Sequence, residues 1–231
     1  MEQVPQLLLV DGDPVLCQVL AGYLQGQGFN VTVASDGETG LSYLAQGVYD
    51  LVIIDDRLPR LGGIEVLRRI RRQGELPVVM LSAENDDIDR IVGLELGADD
   101  YLSKSCNLRE LVARLNSILR RTRRGLAAER MRSSDVESLE IFPAERTATW
   151  RGKSLQLTST EFDLLEALFR HPGRAVGKTD LARNVLGREM TRYERSLDMH
   201  ISNLRKKLGS LADGRSPIQT VRGAGYQLLR K

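Results

Sequence analysis

The sequence predicts two domains of different class: an α/β first half built on a five-stranded parallel, doubly wound sheet, and a second half of three helices flanked by a β-hairpin. Three observations carry this. The 231 residues suit two compact domains better than one or three. Five short apolar runs alternate with stretches of helical spacing over about 120 residues, the pattern of repeated βα units. Beyond residue 136 that alternation gives way to short strands, three helices and a glycine-containing hairpin.

The apolar runs Leu7 to Val10, Val31 to Ala34, Leu51 to Ile54, Val78 to Leu81 and Tyr101 to Leu102 are each followed by acidic, small or turn residues. Between them, Val15, Val19, Leu20, Tyr23 and Leu24, and later Ile64, Leu67 and Ile70, keep a helical period. Helices on both faces bury such strands, and functional groups collect at their carboxyl ends. The last helix of this half spans about Leu108 to Arg120, with Leu111, Leu115, Ile118 and Leu119 inward. Residues 125–136 are polar and aperiodic and read as a linker between domains at 1–124 and 137–231.

In the second half, Leu139 to Phe142, Thr147 to Trp150 and Leu155 to Leu157 read as antiparallel strands, the last two joined at Arg151-Gly152-Lys153. Thr158 and Glu161 have the spacing of a capping box, opening a helix striped by Phe162, Leu164, Leu165 and Leu168 that stops at Pro172-Gly173. A short helix around Lys178 to Val185 follows. A long helix then runs from Glu194 to Leu208, with Leu197, Ile201, Leu204 and Leu208 on its buried face. Ile218 to Val221 and Tyr226 to Leu229 form the hairpin.

Hydrophobic residues at 42% and charged residues at 28% exclude a disordered or fibrous chain. No apolar run approaches the roughly 20 residues needed to cross a bilayer, so no membrane partner is expected. Cys17 and Cys106 are too few for a disulfide framework and the opening Met1-Glu2-Gln3 carries no secretory signal, so a cytoplasmic location is expected. Both cysteines read as packing residues. The net charge of +2 divides unevenly: 14 Lys/Arg against 18 Asp/Glu in residues 1–124, and 19 against 13 in 125–231. Residues 170–207 hold ten basic and four acidic side chains, a surface suited to double-stranded DNA. His171 and His200 alone cannot make a zinc site there.

Asp11 follows the first apolar run, Asp55 the third, Ser82 the fourth and Lys104 the fifth. The first and third strands of a doubly wound sheet are neighbours, so the two carboxylates converge and call for a hard cation, Mg²⁺, between them. With a hydroxyl and an ammonium on the same edge, the set suits an aspartate that accepts a phosphoryl group. Asp13 is a further candidate for the metal.

The blocks LLLVDGD, YDLVIIDDRLPRLGG, PVVMLSA and GLELGADDYLSK over residues 7–124 resemble the CheY-like receiver domain of two-component response regulators. The whole chain resembles the OmpR/PhoB family, and LTSTEFDLLEAL and RSLDMHISNLRKKL bring its second half closest to the CpxR-type members. The resemblance implies a winged helix-turn-helix in the second half, Asp55 as phosphoacceptor from a sensor histidine kinase, Ser82 as the switching hydroxyl, Lys104 as phosphate partner and Tyr101 as the aromatic switch. The Arg57 backbone carbonyl would be a metal ligand. It also implies a non-enzymatic regulator whose receiver catalyses only its own phosphoryl transfer and slow dephosphorylation.

Two positions depart from the family pattern. Gly12 stands where a second acid belongs, so Mg²⁺ should bind weakly. Ser105 replaces a proline that follows the lysine through a cis bond, and a non-proline cis bond costs about 2.5–4 kcal/mol. A trans or strained bond there is expected to move the Lys104 ammonium and slow phosphorylation. The rival to a phosphorylation-dependent regulator is therefore one that binds DNA largely independently of it. A phosphatase using Asp55 lacks a general acid or base, and an RNA-binding module lacks a stacking surface.

Arg90, Ile91, Leu94, Glu95, Asp99, Asp100, Leu111, Arg114 and Arg120 gather apolar groups and both charge signs around the fourth and fifth helices, a patch fit for a symmetric homodimer. On the long helix, Arg195, Ser196, Met199, His200, Ser202, Asn203, Arg205 and Lys206 are the candidate DNA contacts, with Asn203 the leading base reader. Thr220 and Arg222 on the hairpin would reach the minor groove. Arg188 to Arg192, before that helix, are the segment that in relatives meets RNA polymerase.

Overall fold

The computed structural model describes residues 4–83, 87–124, 131–132, 139–187 and 194–229, and the chain divides into two compact units, Met1–Leu119 and Arg120–Lys231. In the first unit, β1 (Gln6–Val10), β2 (Asn30–Ala34), β3 (Leu51–Asp55), β4 (Val78–Ser82) and β5 (Asp100–Ser103) form one parallel sheet in the order β2-β1-β3-β4-β5. The helices α1 (Pro14–Gly26), α2 (Gly37–Gln46), α3 (Gly63–Gln73), α4 (Asp87–Glu95) and α5 (Leu108–Arg124) connect and follow them.

Every residue of β3 and β4 is buried, which is why these strands read as unbroken apolar runs rather than alternating ones. Leu7, Leu9, Ile53 and Leu81 pack against Leu20 and Leu24 of α1 and Leu111, Leu115 and Ile118 of α5. The start of α3 presses on the end of β3: a Cβ at Gly63 would lie 2.0 Å from the Asp55 carbonyl oxygen, so only glycine lets the two backbones approach this closely. That contact fixes where Asp55 leaves the sheet.

In the second unit, β6 (Met131–Arg132), β7 (Leu139–Phe142), β8 (Thr147–Trp150) and β9 (Lys153–Ser154) form an antiparallel sheet in sequence order. Arg151 and Gly152 both have positive φ, +50° and +74°, giving the tight hairpin turn expected at this site. Two expectations change. The third strand is Lys153–Ser154, not Leu155 to Leu157. The presumed linker 125–136 contains β6, which pairs Met131 with Ile141.

Next come α6 (Ser159–Phe169), β10 (Ala175–Val176), α7 (Lys178–Leu181) running into a π-helical turn at Ala182–Leu186, α8 (Glu194–Leu208), β11 (Ile218–Val221) and β12 (Gly225–Leu228). The capping box forms: Thr158 Oγ1 accepts from the Glu161 amide at 3.4 Å, and Glu161 Oε2 accepts from the Thr158 amide at 2.9 Å. The hairpin β11–β12 gains a third strand, β10, whose Val176 pairs with Tyr226. Phe162, Leu165, Leu197, Ile201, Leu204 and Tyr226 belong to one core that joins α6, α8 and the hairpin.

Candidate functional site

Sheet order places the ends of β1 and β3 side by side, with Val10 opposite Ile54, and β5 ends beside β4. At that edge Lys104 Nζ lies 2.8 Å from Asp11 Oδ2 and 2.8 Å from Asp55 Oδ2. Asp11 is 1% exposed and Asp55 4%. Asp11 Oδ1 accepts from the Asp13 amide at 2.9 Å and Asp55 Oδ1 from the Arg57 amide at 3.3 Å. Burial raises the Asp55 carboxyl above its ordinary range, with the charge of Asp11 adding to it and Lys104 opposing it. Burial alone would lower the Lys104 ammonium; its bonds to Asp11 and Asp55 outweigh that and raise it.

The concern over Ser105 is resolved in favour of the lysine. No peptide bond among the described residues is cis, so Lys104–Ser105 is trans, yet the ammonium still reaches both carboxylates. The turn is held by other means: the Lys104 amide donates to the Ser82 carbonyl at 2.7 Å, and the Ser103 and Ser105 hydroxyls share a 2.7 Å hydrogen bond.

Asp13 is engaged otherwise than expected. It caps α1, its Oδ1 accepting from the amides of Val15 and Leu16 at 2.9 and 3.1 Å, with Pro14 at the first helical position. Gly12 is exposed, and a Cβ there would meet Pro59 Cδ at 3.0 Å. Among the described residues no group of three or more Asp, Glu, His or Cys side chains is placed to hold a metal. The two buried carboxylates Asp11 and Asp55 still suit Mg²⁺, which takes few protein oxygens and keeps several waters.

Tyr101 is 4% exposed and turned inward. Its hydroxyl donates to Asp56 Oδ2 at 2.7 Å, a contact the sequence reading did not foresee. The Ser82 hydroxyl bonds the same phenol, whose pKa is raised by burial first and by Asp56 second. Burial and Asp11 push the Cys17 thiol up to about 11, and burial followed by Glu110 raises Cys106, so both are protonated at neutral pH and suit packing.

The proposed dimer patch loses several members to the interior. Leu111 is in the core at 1% exposure and Leu94 is equally buried. Asp99 accepts from Arg71 Nη2 and the Val78 amide, both at 3.0 Å. Asp100 accepts from the Tyr101 amide and lies 3.8 Å from Arg114, which also bonds Glu110 at 2.9 Å. Glu95 and Arg120 are exposed, and Arg90 and Ile91 half-buried.

On α8 the buried arc is wider than its leucines and isoleucine suggest. Ser196 and His200 are 1% exposed and Asn203 5%, so these three candidates are corrected from groove-facing to inward-facing. At 100° per residue they lie along one side of the apolar stripe, whereas Met199, Ser202 and Lys206 share the opposite face and are partly or fully exposed. The side chain of Arg195 and the segment Arg188 to Arg192 lie outside the described residues. Arg205 is a brace: it donates to the Ile218 carbonyl at 2.9 Å and to Thr220 Oγ1 at 2.8 Å, and stands 5.7 Å from the Tyr226 ring centre. Asp198 takes Lys178 at 2.8 Å and the Tyr226 hydroxyl. Thr220 and Arg222 are exposed on the hairpin.

Residues 7–116 match the response regulator receiver domain, and residues 152–228 match the C-terminal domain of transcriptional regulatory proteins. The chain is 42% identical over 231 residues to the transcriptional regulatory protein CpxR of Escherichia coli K12, covering 97% of this chain and 98% of that one. It is 39% identical over 227 residues to the transcriptional regulatory protein BaeR of Escherichia coli O6:H1, covering 98% and 93%. Among solved structures it resembles DrrB, an OmpR/PhoB homologue of Thermotoga maritima, with a TM-score of 0.52, 27% identity and coverage of 98% and 100%. No helix among the described residues is long and apolar enough to cross a membrane. With a receiver unit followed by a DNA-binding unit, and this likeness along nearly its whole length, the chain belongs to the OmpR/PhoB family as a CpxR-like transcriptional response regulator.

Proposed function

We propose that the receiver accepts a phosphoryl group on Asp55 from a sensor histidine kinase, and that this favours homodimerisation and promoter binding by the second unit in the cytoplasm. The supporting observation is the Lys104 ammonium lying 2.8 Å from both carboxylates at the carboxyl edge of the sheet. An Asp55 oxygen attacks the phosphorus, the bond from phosphorus to the donor nitrogen breaks, and an acyl phosphate forms. Lys104 is placed to neutralise a phosphoryl oxygen, and Ser82, at the end of β4, to donate to another. Mg²⁺ would be held by Asp11, Asp55 and the Arg57 carbonyl, and when bound supplies charge neutralisation on the transferring group. The self-catalysed transfer and slow hydrolysis are the only chemistry assigned to this chain.

The dimer contact falls on the accessible part of the α4–β5–α5 face, at exposed Glu95 and Arg120 and half-buried Arg90 and Ile91. DNA contact falls to Met199, Ser202 and Lys206 in the major groove and to Thr220 and Arg222 at the minor groove. RNA polymerase is the further partner of a promoter-bound regulator.

A second reading, DNA binding largely independent of phosphorylation, is favoured by one observation: Gly12 supplies no ligand and Asp13 is engaged in capping. Operator affinity at fixed salt, with and without beryllofluoride and Mg²⁺, separates the two. A tenfold gain, about 1.4 kcal/mol, supports the first reading, and equal affinities support the second.

A further inference from the structure

The residue after the phosphoacceptor is itself an acid, and the pocket chemistry above makes no use of it. Asp56 Oδ2 accepts the Tyr101 hydroxyl at 2.7 Å across 45 positions of sequence. Asp56 Oδ1 is buried with no hydrogen-bond partner among the described residues. An acceptor aimed inward and half satisfied is costly to keep, so its retention points to a positional task. The ring it holds fits a prepared slot. A Cβ at Gly93 on α4 would lie 3.0 Å from Tyr101 Cδ2 and Cε2, so the absence of a side chain there lets the ring lie flat against the helix. The Ser82 hydroxyl bonds the same phenol, so Ser82, Tyr101 and Asp56 form one chain of hydrogen bonds.

We infer that Asp56 is a positioning residue whose carboxylate clamps the Tyr101 phenol inside the receiver before any phosphoryl group arrives, making the inward tyrosine the resting state of this chain. The inference rests on the receiver reading above but needs no phosphorylation. A tyrosine that turns inward only when Ser82 moves toward a phosphoryl group requires an empty space or an apolar neighbour to enter. Here a charged acceptor already occupies the far end of that space, and a hydrogen bond to a charged group is worth more than one between neutral groups.

The experiment uses the full-length protein labelled with 3-fluorotyrosine. Six tyrosines give the fluorine spectrum, and Tyr101→Phe identifies the Tyr101 signal. Its broadening by a soluble gadolinium chelate reports exposure. In unmodified protein the signal is expected to be protected, and unchanged by beryllofluoride with Mg²⁺. Asp56→Leu is expected to raise the broadening towards that of the half-exposed Tyr49, while Asp56→Asn, which keeps an acceptor, retains protection. Asp56→Ala reads the same loss should the leucine fail to fold, and a cooperative melt checks each variant.

A Tyr101 that stays protected in Asp56→Leu and Asp56→Ala overturns the clamp, as does one that is exposed in the unmodified protein. Exposure in Asp56→Leu that beryllofluoride reverses supports both the clamp and the phosphoacceptor reading. Exposure that beryllofluoride leaves untouched supports the clamp while counting against Asp55 as phosphoacceptor.

Discussion

Lys104 sits between two buried carboxylates, and replacing it with methionine keeps most of the stem while removing the charge. Both Oδ2 atoms lie 2.8 Å from Nζ, so they are no more than about 5.6 Å apart, twice the ion-pair distance. At an effective dielectric of about 20, two negative charges that close repel by about 3 kcal/mol, roughly two pKa units. Loss of a buried ionic partner typically costs about 3–5 kcal/mol, against a domain stability of about 5–15 kcal/mol. The only tryptophan, Trp150, is in β8 of the second unit and does not report on the receiver. Urea-dependent hydrogen exchange of the β1 and β3 amides in Mg²⁺-free buffer is therefore the suitable assay. With a slope of about 2 kcal/mol per molar urea, the receiver midpoint should fall by about 1.5–2.5 M. Adding Asp11→Asn to Lys104→Met should recover most of that loss, because it removes the repulsion the lysine was balancing. A single variant that unfolds at the unmodified midpoint, or a double variant no better than the single one, refutes the electrostatic reasoning.

Asp55→Asn acts in the opposite direction. The folded state raises the Asp55 carboxyl, so only between its unfolded and folded values does it hold a proton the unfolded chain has released; stability from this group is present below the unfolded value of about 3.9 and lost as pH rises through the folded one. In Mg²⁺-free buffer the asparagine variant should melt higher at pH 7, by a margin that shrinks as the pH approaches 4, and a margin that widens on acidification contradicts the sign. Gly12→Asp should tighten Mg²⁺, measured by calorimetry, once Pro59 yields a few tenths of an ångström; unchanged affinity would move the missing ligand elsewhere. Gly63→Ala should lower receiver stability and slow acetyl phosphate labelling together, because its Cβ collides with the Asp55 carbonyl, and intact mass reads the labelling. Lys206→Ala should weaken operator binding and reduce the salt slope by about one, whereas a conservative change at buried His200 should lower the melting temperature of the second unit instead.

Strand order was enough to bring Asp11, Asp55 and Lys104 together from the sequence, because a doubly wound five-stranded sheet admits few arrangements, Asp11 and Asp55 each stand one step past an apolar run, and Lys104 stands two steps past one. Asp13 followed by Pro14 carried a local capping signal that weighs more than the mere presence of a carboxylate near a metal. The inward side of α8 was only half legible: leucine and isoleucine mark a stripe, but nothing in their spacing says that Ser196, His200 and Asn203 widen it. Strands of two residues, β6, β9 and β10, are too short to show any period. The bond from Tyr101 to Asp56 joins positions 45 apart and depends on the glycine at 93, so it arises only from the assembled fold.

Arg205 has a consequence for how an operator is chosen. By gripping both the Ile218 carbonyl and Thr220 while standing against Tyr226, it makes α8 and the β11–β12 hairpin, the two elements proposed above to contact DNA, a single stiff caliper. A caliper cannot widen to suit its object. A duplex must present its two adjoining grooves at the matching stride, and those whose base steps bend or narrow at little expense are bound even where no side chain touches an edge. Loosening that grip would blur discrimination among operators before it weakened attachment to DNA in general.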